Sequence, residues 1–331
     1  MAVRERPVEP VAGLLARAGI PAARIAGHAP MTGGTYNSLH RIDLTDGPPL
    51  VLKVPPSPDI PRMAYETGLL HGEALFCTSA AAVGVPAPQV LHAEPDETGP
   101  PAPFLLMTHC PGAPWRGAGA EPDGAERDRL RSGLGGLVAR LHTVRGPGFG
   151  YPAPGSGSLA DRWATAFAAM TGAVLDDAER YRPWLPREVP WIRARLAAAA
   201  PVLDEVAEPA LVHFDLWPGN VLLDGPVGDR VISGLIDGER MFWGDPLADF
   251  ASMSLFDTRP EADAAFLAGY GAGGGRIRFD DAALRRIALY RCYLYLIMLV
   301  EVVPRGYRGE HLAWVREFAG PRLEAALGAV G

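Results

Sequence analysis

The feature that most restricts the fold is a change of texture near residue 110. Before it, segments 24–30, 38–44, 50–54, 90–93 and 104–108 read as short apolar strands, separated by tight turns such as Asp46-Gly47, where glycine and aspartate supply unusual backbone angles. One helical stretch, 63–82, closed by Gly84 and Pro86, interrupts them, and residues 8–20 carry a leading helical pattern. After Pro111-Gly112 long helical patterns take over at 127–144, 160–178 and 189–206. Strands first and helices afterwards predict an α+β protein of two lobes and argue against an alternating βαβ fold. Residues 1–107 form the expected amino lobe, 108–113 a hinge and 114–331 a mainly helical carboxy lobe.

Charge and cysteine content exclude several classes of function. A net charge of −7 and a pI near 5.6 argue against broad binding of nucleic acid or an anionic membrane, both of which need a basic face. Cys77, Cys110 and Cys292 stand far apart with no paired spacing, so neither a disulfide framework nor a thiolate metal site is expected. The run Tyr293–Val300 is far shorter than the roughly 20 residues of a spanning helix and reads as a buried helix. The opening MAVRERPVEP places charges where an export signal needs an apolar core, so the cytoplasm is the expected location.

Scarce residue types carry more information than abundant ones. Of 31 basic residues only Lys53 is lysine, and asparagine occurs only at Asn37 and Asn220. A lysine retained where arginine is used everywhere else suggests a task that a planar guanidinium does poorly.

The densest chemistry lies in Leu211-Val-His213-Phe-Asp215-Leu-Trp217-Pro-Gly-Asn220-Val-Leu-Leu223, followed by Ser233-Gly-Leu-Ile-Asp237. Phosphoryl transfer needs a group to orient the attacking hydroxyl and accept its proton, and hard oxygen ligands for the metal that neutralises phosphate charge. Asp215 suits the first task, and Asn220 with Asp237 suits the second.

This stretch resembles the catalytic loop of the aminoglycoside phosphotransferase family, small-molecule kinases related to protein kinases. The continuation Gly238-Glu239-Arg-Met-Phe-Trp-Gly244-Asp245-Pro246-Leu-Ala-Asp249 is similar to the family's Gly-Asp-Pro tail. Two departures stand out: Phe214 replaces the family's usual glycine, and Gly238 replaces a common bulky aromatic. The resemblance implies a bilobal protein-kinase-like fold with a β-sheet amino lobe, Mg2+, and ATP or GTP as co-substrate. Leu50-Val-Leu-Lys53-Val resembles the strand that carries the phosphate-binding lysine. Its carboxylate partner is expected on the following helix, with Glu73 chosen over Glu66 because Val85-Pro-Ala-Pro88 resembles the family's sequence after that helix. Gly33-Gly34-Thr35-Tyr36-Asn37-Ser38 occupies the place of the nucleotide-covering loop, where backbone N–H groups can approach phosphate. Phe104–Gly112 resembles the hinge, with Met107 and His109 at the nucleotide base. His142 matches a family helix ending and reads as structural.

The expected activity is transfer of a γ-phosphate to a hydroxyl of a small molecule, an antibiotic of aminoglycoside-like or other type. A metabolite kinase of fructosamine, choline or homoserine type is the alternative, and a regulatory pseudokinase a further one, though Lys53, Asp215, Asn220 and Asp237 are all present. The loop Asp215-Leu-Trp217-Pro-Gly-Asn220 resembles the fructosamine kinase version. Residues 108–331 hold 28 acidic and 24 basic side chains, a mild excess for a polycationic acceptor. Trp163, Trp184, Trp191, Trp217 and Trp243 are expected mostly in the core, where tryptophan is usually buried.

Overall fold

The computed structural model describes residues 9–31, 36–97, 101–116, 121–153, 157–256 and 259–331. A helix, α1 (Val11–Arg17), precedes β1 (Ile25–Pro30), β2 (Ser38–Leu44) and β3 (Leu50–Val54). Helix α2 (Leu69–Ala82) then leads to β4 (Val90–Glu94) and β5 (Phe104–Thr108). These strands form one antiparallel sheet in the order β1-β2-β3-β5-β4. Strand β5, between β3 and β4, is apolar from Phe104 to Met107 because both its faces are covered there. Phe104 and Leu106 pack with Leu14 and Leu15 of α1 on one side, and Leu105 and Met107 pack with Leu70 of α2 on the other.

The rest of the chain is mainly helical. It comprises β6 (Ala113–Pro114), α3 (Gly124–Leu141), α4 (Trp163–Tyr181), α5 (Val189–Ala199), β7 (Ala210–Val212), β8 (Val221–Asp224), β9 (Val231–Leu235), β10 (Phe242–Gly244), α6 (Leu247–Met253), α7 (Ala264–Ala272), α8 (Asp281–Glu301) and α9 (Gly309–Ala329). Helix α8 runs through the centre, where Leu296 and Ile297 are buried and Tyr290 and Tyr293 pack against Phe167 of α4, with Phe214 beside Tyr293. Each such apolar side chain contributes about 1.5–3 kcal/mol by leaving water. Helices α3 and α7 cross in backbone contact: a Cβ on Gly135 would stand 2.1 Å from the Phe266 carbonyl oxygen, and one on Gly269 1.8 Å from that of Ser132. Among the described residues, no helix is long and apolar enough to cross a membrane.

The α+β reading and the order of sheet and helices hold, and the differences are local. The stretch 63–82 is broken: a 3₁₀ turn (Ala64–Glu66) precedes α2, and Gly68 between them takes φ +78°, a left-handed conformation that glycine adopts without penalty. The pattern at 189–206 divides in the same way, with α5 giving way to a 3₁₀ turn (Ala200–Glu205) that contains Pro201, whose ring ends the α-helical bonding. The expectation for the tryptophans fails for Trp184 and Trp191, each 46% exposed, whereas Trp163 and Trp243 are buried. Cys110 is only partly buried and faces the main cleft.

Candidate active site

The segment 213–220 is shaped by Asp249 at the start of α6. Its carboxylate accepts hydrogen bonds from the backbone N–H groups of His213 (3.2 Å) and Phe214 (2.8 Å), and His142 approaches it at 3.0 Å. The other ring nitrogen of His142 meets the Tyr270 hydroxyl at 2.9 Å, so this histidine is clamped inside the core. The His213 Nδ1 accepts from the Asp215 N–H (3.2 Å), which leaves Nε2–H to donate to the Ile236 carbonyl (3.0 Å). The imidazole thereby ties the loop that carries Asp215 to the strand end that carries Asp237.

Both departures from the family pattern have a structural counterpart. Phe214 adopts φ +60°, the left-handed region that favours glycine, and its ring is fully buried against Phe242 and Tyr293, 5.0 and 5.4 Å away. Packing of the ring offsets the backbone cost. At Gly238 a Cβ would stand 2.2 Å from the Phe76 ring, so an aromatic from α2 occupies the space beside this residue.

The turn between β8 and β9 is anchored to α3. Glu126 accepts hydrogen bonds from the N–H groups of Gly228 and Arg230, both at 3.0 Å, and from the Arg230 guanidinium at 2.6 Å. These bonds hold its carboxyl down at about 2. This anchor fixes the two-strand ribbon whose ends carry Asn220 and Asp237.

A cleft of about 480 Å³ lies between the sheet and the helical part, and Lys53, both asparagines, Asp215 and Asp237 line it. At its floor the Lys53 ammonium contacts Glu73 (2.6 Å), Asp237 (2.7 Å) and Glu239 (2.6 Å). The three carboxylates offer oxygen atoms that lie within 4.8 Å of one another. Desolvation alone would raise Asp237, but the attraction of Lys53 outweighs it and its carboxyl sits below the usual range. Desolvation raises Glu239 to about 7 despite Lys53, with Asp237 and Glu73 adding repulsion. One ammonium thus faces more negative charge than it can neutralise. Desolvation also raises Asp215, with Arg240 opposing.

The Asn220 amide nitrogen donates to the Asp215 carbonyl (2.7 Å), leaving its side-chain oxygen available as a ligand. Asp237 adopts φ +61°, and its side chain is 43% exposed to the cleft, against 3% for Glu73. Glu66 stands elsewhere: it is buried and held by Arg305 at 2.6 Å. Asn37 reaches across from the sheet and donates to Glu239 at 2.5 Å. Met107 and His109 both line the cleft beside β3. Ser38 does not line it: it is exposed, because alternation along β2 turns Leu39 to the cleft and Ser38 away. Gly33, Gly34 and Thr35 lie outside the described residues.

Sequence reasoning passed over Glu239, Arg240, Arg305 and Arg116, all of which line the cleft. Glu239 had a signal, since it stands two residues beyond Asp237. The arginines had none among 30 of their kind.

The sequence pattern of the phosphotransferase enzyme family (APH) matches residues 28–290. No curated protein matches the chain by sequence. Among solved structures, a protein assigned as a fructosamine-3-kinase from Thermobifida fusca is 22% identical, with 96% of this chain and all of that chain covered at a TM-score of 0.65. Aminoglycoside phosphotransferase APH(4)-Ia, in a ternary complex with AMP-PNP and hygromycin B, is 18% identical, with 96% and 98% covered at 0.63. Macrolide 2'-phosphotransferase MphH from Brachybacterium faecium is 20% identical, with 95% and 97% covered at 0.58. With its sheet, its helical part and a cleft between them lined by Lys53, Asp215, Asn220 and Asp237, the chain belongs to the phosphotransferase enzyme family and is a small-molecule phosphotransferase of protein-kinase-like fold.

Proposed function

We propose that the chain moves the γ-phosphoryl group of ATP or GTP to a hydroxyl of a small molecule, with residues 1–107 on the nucleotide side, 108–113 as hinge and 114–331 on the acceptor side. The observation that carries this reading is the contact of the sole lysine with three carboxylates at the floor of one cleft, which Asp215 also lines. Lys53, held by Glu73, presents a compact charge to the nucleotide phosphates. Met107 and His109 border the base, and Asn37, which donates to Glu239, borders the phosphates.

Mg2+ fits the site because the donors are hard oxygens and because Lys53 leaves negative charge uncompensated. Asp237 and Asn220 would hold it, and it would neutralise charge on the transferring phosphate. Asp215 orients the acceptor hydroxyl and takes its proton as the new oxygen–phosphorus bond forms. The bond from γ-phosphorus to the bridging oxygen breaks, and the electron pair leaves with the nucleoside diphosphate. The raised carboxyl of Asp215 makes it a better proton acceptor than an ordinary aspartate, so activity falls as pH drops through its folded value.

An antibiotic hydroxyl, aminoglycoside-like or other, is the first reading of the acceptor. A metabolite hydroxyl of the fructosamine type is the second, favoured by Trp217 in the catalytic loop. A phosphate-transfer screen of the purified protein against hydroxylated antibiotics and metabolites, with ATP and GTP in parallel, tests the proposal. Failure to bind either Mg–nucleotide in calorimetry would refute it.

A further inference from the structure

Residues 62–66, which lead into α2, are held by side chains of the helical part. Tyr181 of α4 donates to the Arg62 carbonyl (2.7 Å), Asp177 of α4 accepts from the Ala64 N–H (2.6 Å), and Arg305, in the turn after α8, is paired with Glu66. The last contact is charged on both sides and buried. Nε and Nη2 of Arg305 both donate to one Glu66 oxygen (3.1 and 2.6 Å), the other oxygen accepts from the Met63 N–H (2.8 Å), and the two side chains are 7% and 0% exposed. Such a pair fixes direction as well as distance, and separating it inside the protein is costly.

Arg305 differs from Tyr181 and Asp177 in that it also lines the cleft. Its guanidinium stands 5.2 Å from the Tyr36 ring, beside Asn37, and the Tyr36 hydroxyl lies 3.5 Å from the Glu66 carbonyl. Glu301 contacts Arg305 at 3.2 Å and Arg240 at 3.1 Å. Glu66, Arg305, Glu301 and Arg240 therefore form one neutral row of charges from the entry of α2 to the turn after Asp237.

What this entry places is Glu73. Gly68, at φ +78°, turns the chain directly from the held segment into α2. The helix then rests on the turn after Asp237: a Cβ on Gly72 would stand 2.8 Å from the Glu239 carbonyl oxygen, and the Phe76 ring fills the space beside Gly238. With its entry fixed at Glu66 and its face fixed at Gly72, α2 has no freedom to swing, and Glu73 meets Lys53 at 2.6 Å. Release of the entry would let the helix pivot on the Gly72 contact and carry Glu73 off the ammonium.

We infer that Arg305 is a positioning residue for phosphate binding: its grip on Glu66 fixes the entry of α2 and thereby holds Glu73 on Lys53. The inference rests on the reading of Lys53 as the phosphate-binding group. It gives the turn after α8, remote in sequence from every residue assigned above, a part in the nucleotide site.

Calorimetry with Mg–ADP and Mg–GDP, well below the melting temperature of every protein compared, tests it. Arg305→Lys keeps the charge but has a single nitrogen for Glu66 and Glu301, and Glu66→Gln keeps the shape without the charge, so either can serve if the other fails to fold. Each should weaken binding of the preferred Mg–nucleotide roughly tenfold. In a Glu73→Gln background the same changes should have little further effect, because the group they place is already gone. A contact that only stabilises the fold would lower the melting temperature and leave affinity alone. Wild-type affinity in the variants, or an equal further loss in the Glu73→Gln background, overturns the inference while leaving phosphotransfer standing. Absence of binding of both Mg–nucleotides by the wild-type protein overturns both.

Discussion

Replacing Lys53 by arginine keeps the charge and changes only its shape. The backbone there cannot recede, because Lys53 is paired in the sheet with Leu39 of β2 on one side and Leu105 of β5 on the other. The ammonium meets three carboxylates at 2.6–2.7 Å, with 4% of the side chain exposed. A guanidinium is longer and spreads its donors in a plane, so it must push the carboxylates apart or displace the phosphates. A displacement of about 1 Å costs roughly 10²-fold in turnover, or about 2.7 kcal/mol of transition-state stabilisation. The fold should tolerate the change, since charge is retained, and the melting temperature should move by less than about 4 °C. Lys53→Met, by contrast, leaves buried carboxylates uncompensated and should cost about 3–5 kcal/mol of stability. Nucleoside diphosphate release, followed with a coupled assay and with water as acceptor if no better one is in hand, reads turnover, and calorimetry reads Mg–ADP affinity. A Lys53→Arg protein with wild-type turnover and wild-type melting temperature would refute the reasoning and make the lone lysine an accident of composition.

Asp215→Ala should reduce phosphate transfer by about 10²- to 10⁴-fold while Mg–nucleotide still binds, and turnover within about tenfold of wild type would remove its assigned role. Asp237→Ala should weaken nucleotide binding only when Mg2+ is present, so calorimetry with and without the metal should show the two affinities converge. Phe214→Gly relieves a left-handed backbone worth about 1–2 kcal/mol but empties a buried ring site worth about 3–5 kcal/mol; urea denaturation should therefore show a net loss of about 2–3 kcal/mol. For Glu126, held at about 2 by Arg230 and two backbone N–H groups, the folded value lies below the ordinary 4.5, so its stabilisation is present above about pH 4.5 and fades as pH falls towards 2. The melting-temperature gap between wild type and Glu126→Gln should shrink over that interval, and a gap independent of pH would count against the anchor.

Much of the site was legible because phosphotransfer chemistry leaves a linear trace. His213, Asp215, Asn220 and Asp237 lie within 25 residues of one another, and the turn that joins their strands is visible as Asp224 to Asp229. Lys53 stood out by scarcity, and both asparagines proved to line the cleft that it floors. The choice between Glu73 and Glu66 could not be read with the same directness, since both lie on the segment after the strand. Helical geometry and the competing Arg305 separate them. Ser38 illustrates the opposite limit: it lies one residue beyond Asn37, but the strand begins there and alternation turns its side chain out.

The sequence by itself determined the class of chemistry and the order of sheet before helices, and it singled out the candidate carboxylates of the cleft, because these depend on residue type and short spacing. Tertiary structure alone decided who meets whom across the chain. Lys53 and Asp237 lie 184 residues apart and Arg305 and Glu66 239 apart, and no local pattern encodes either contact. It also decided the ring contacts that run from Trp217 through Phe256 and Phe318 to Trp314, whose members come from the loop before β8, the segment after α6 and helix α9. Periodicity reports which face of an element is apolar, whereas the partner of that face is chosen only when the whole chain packs.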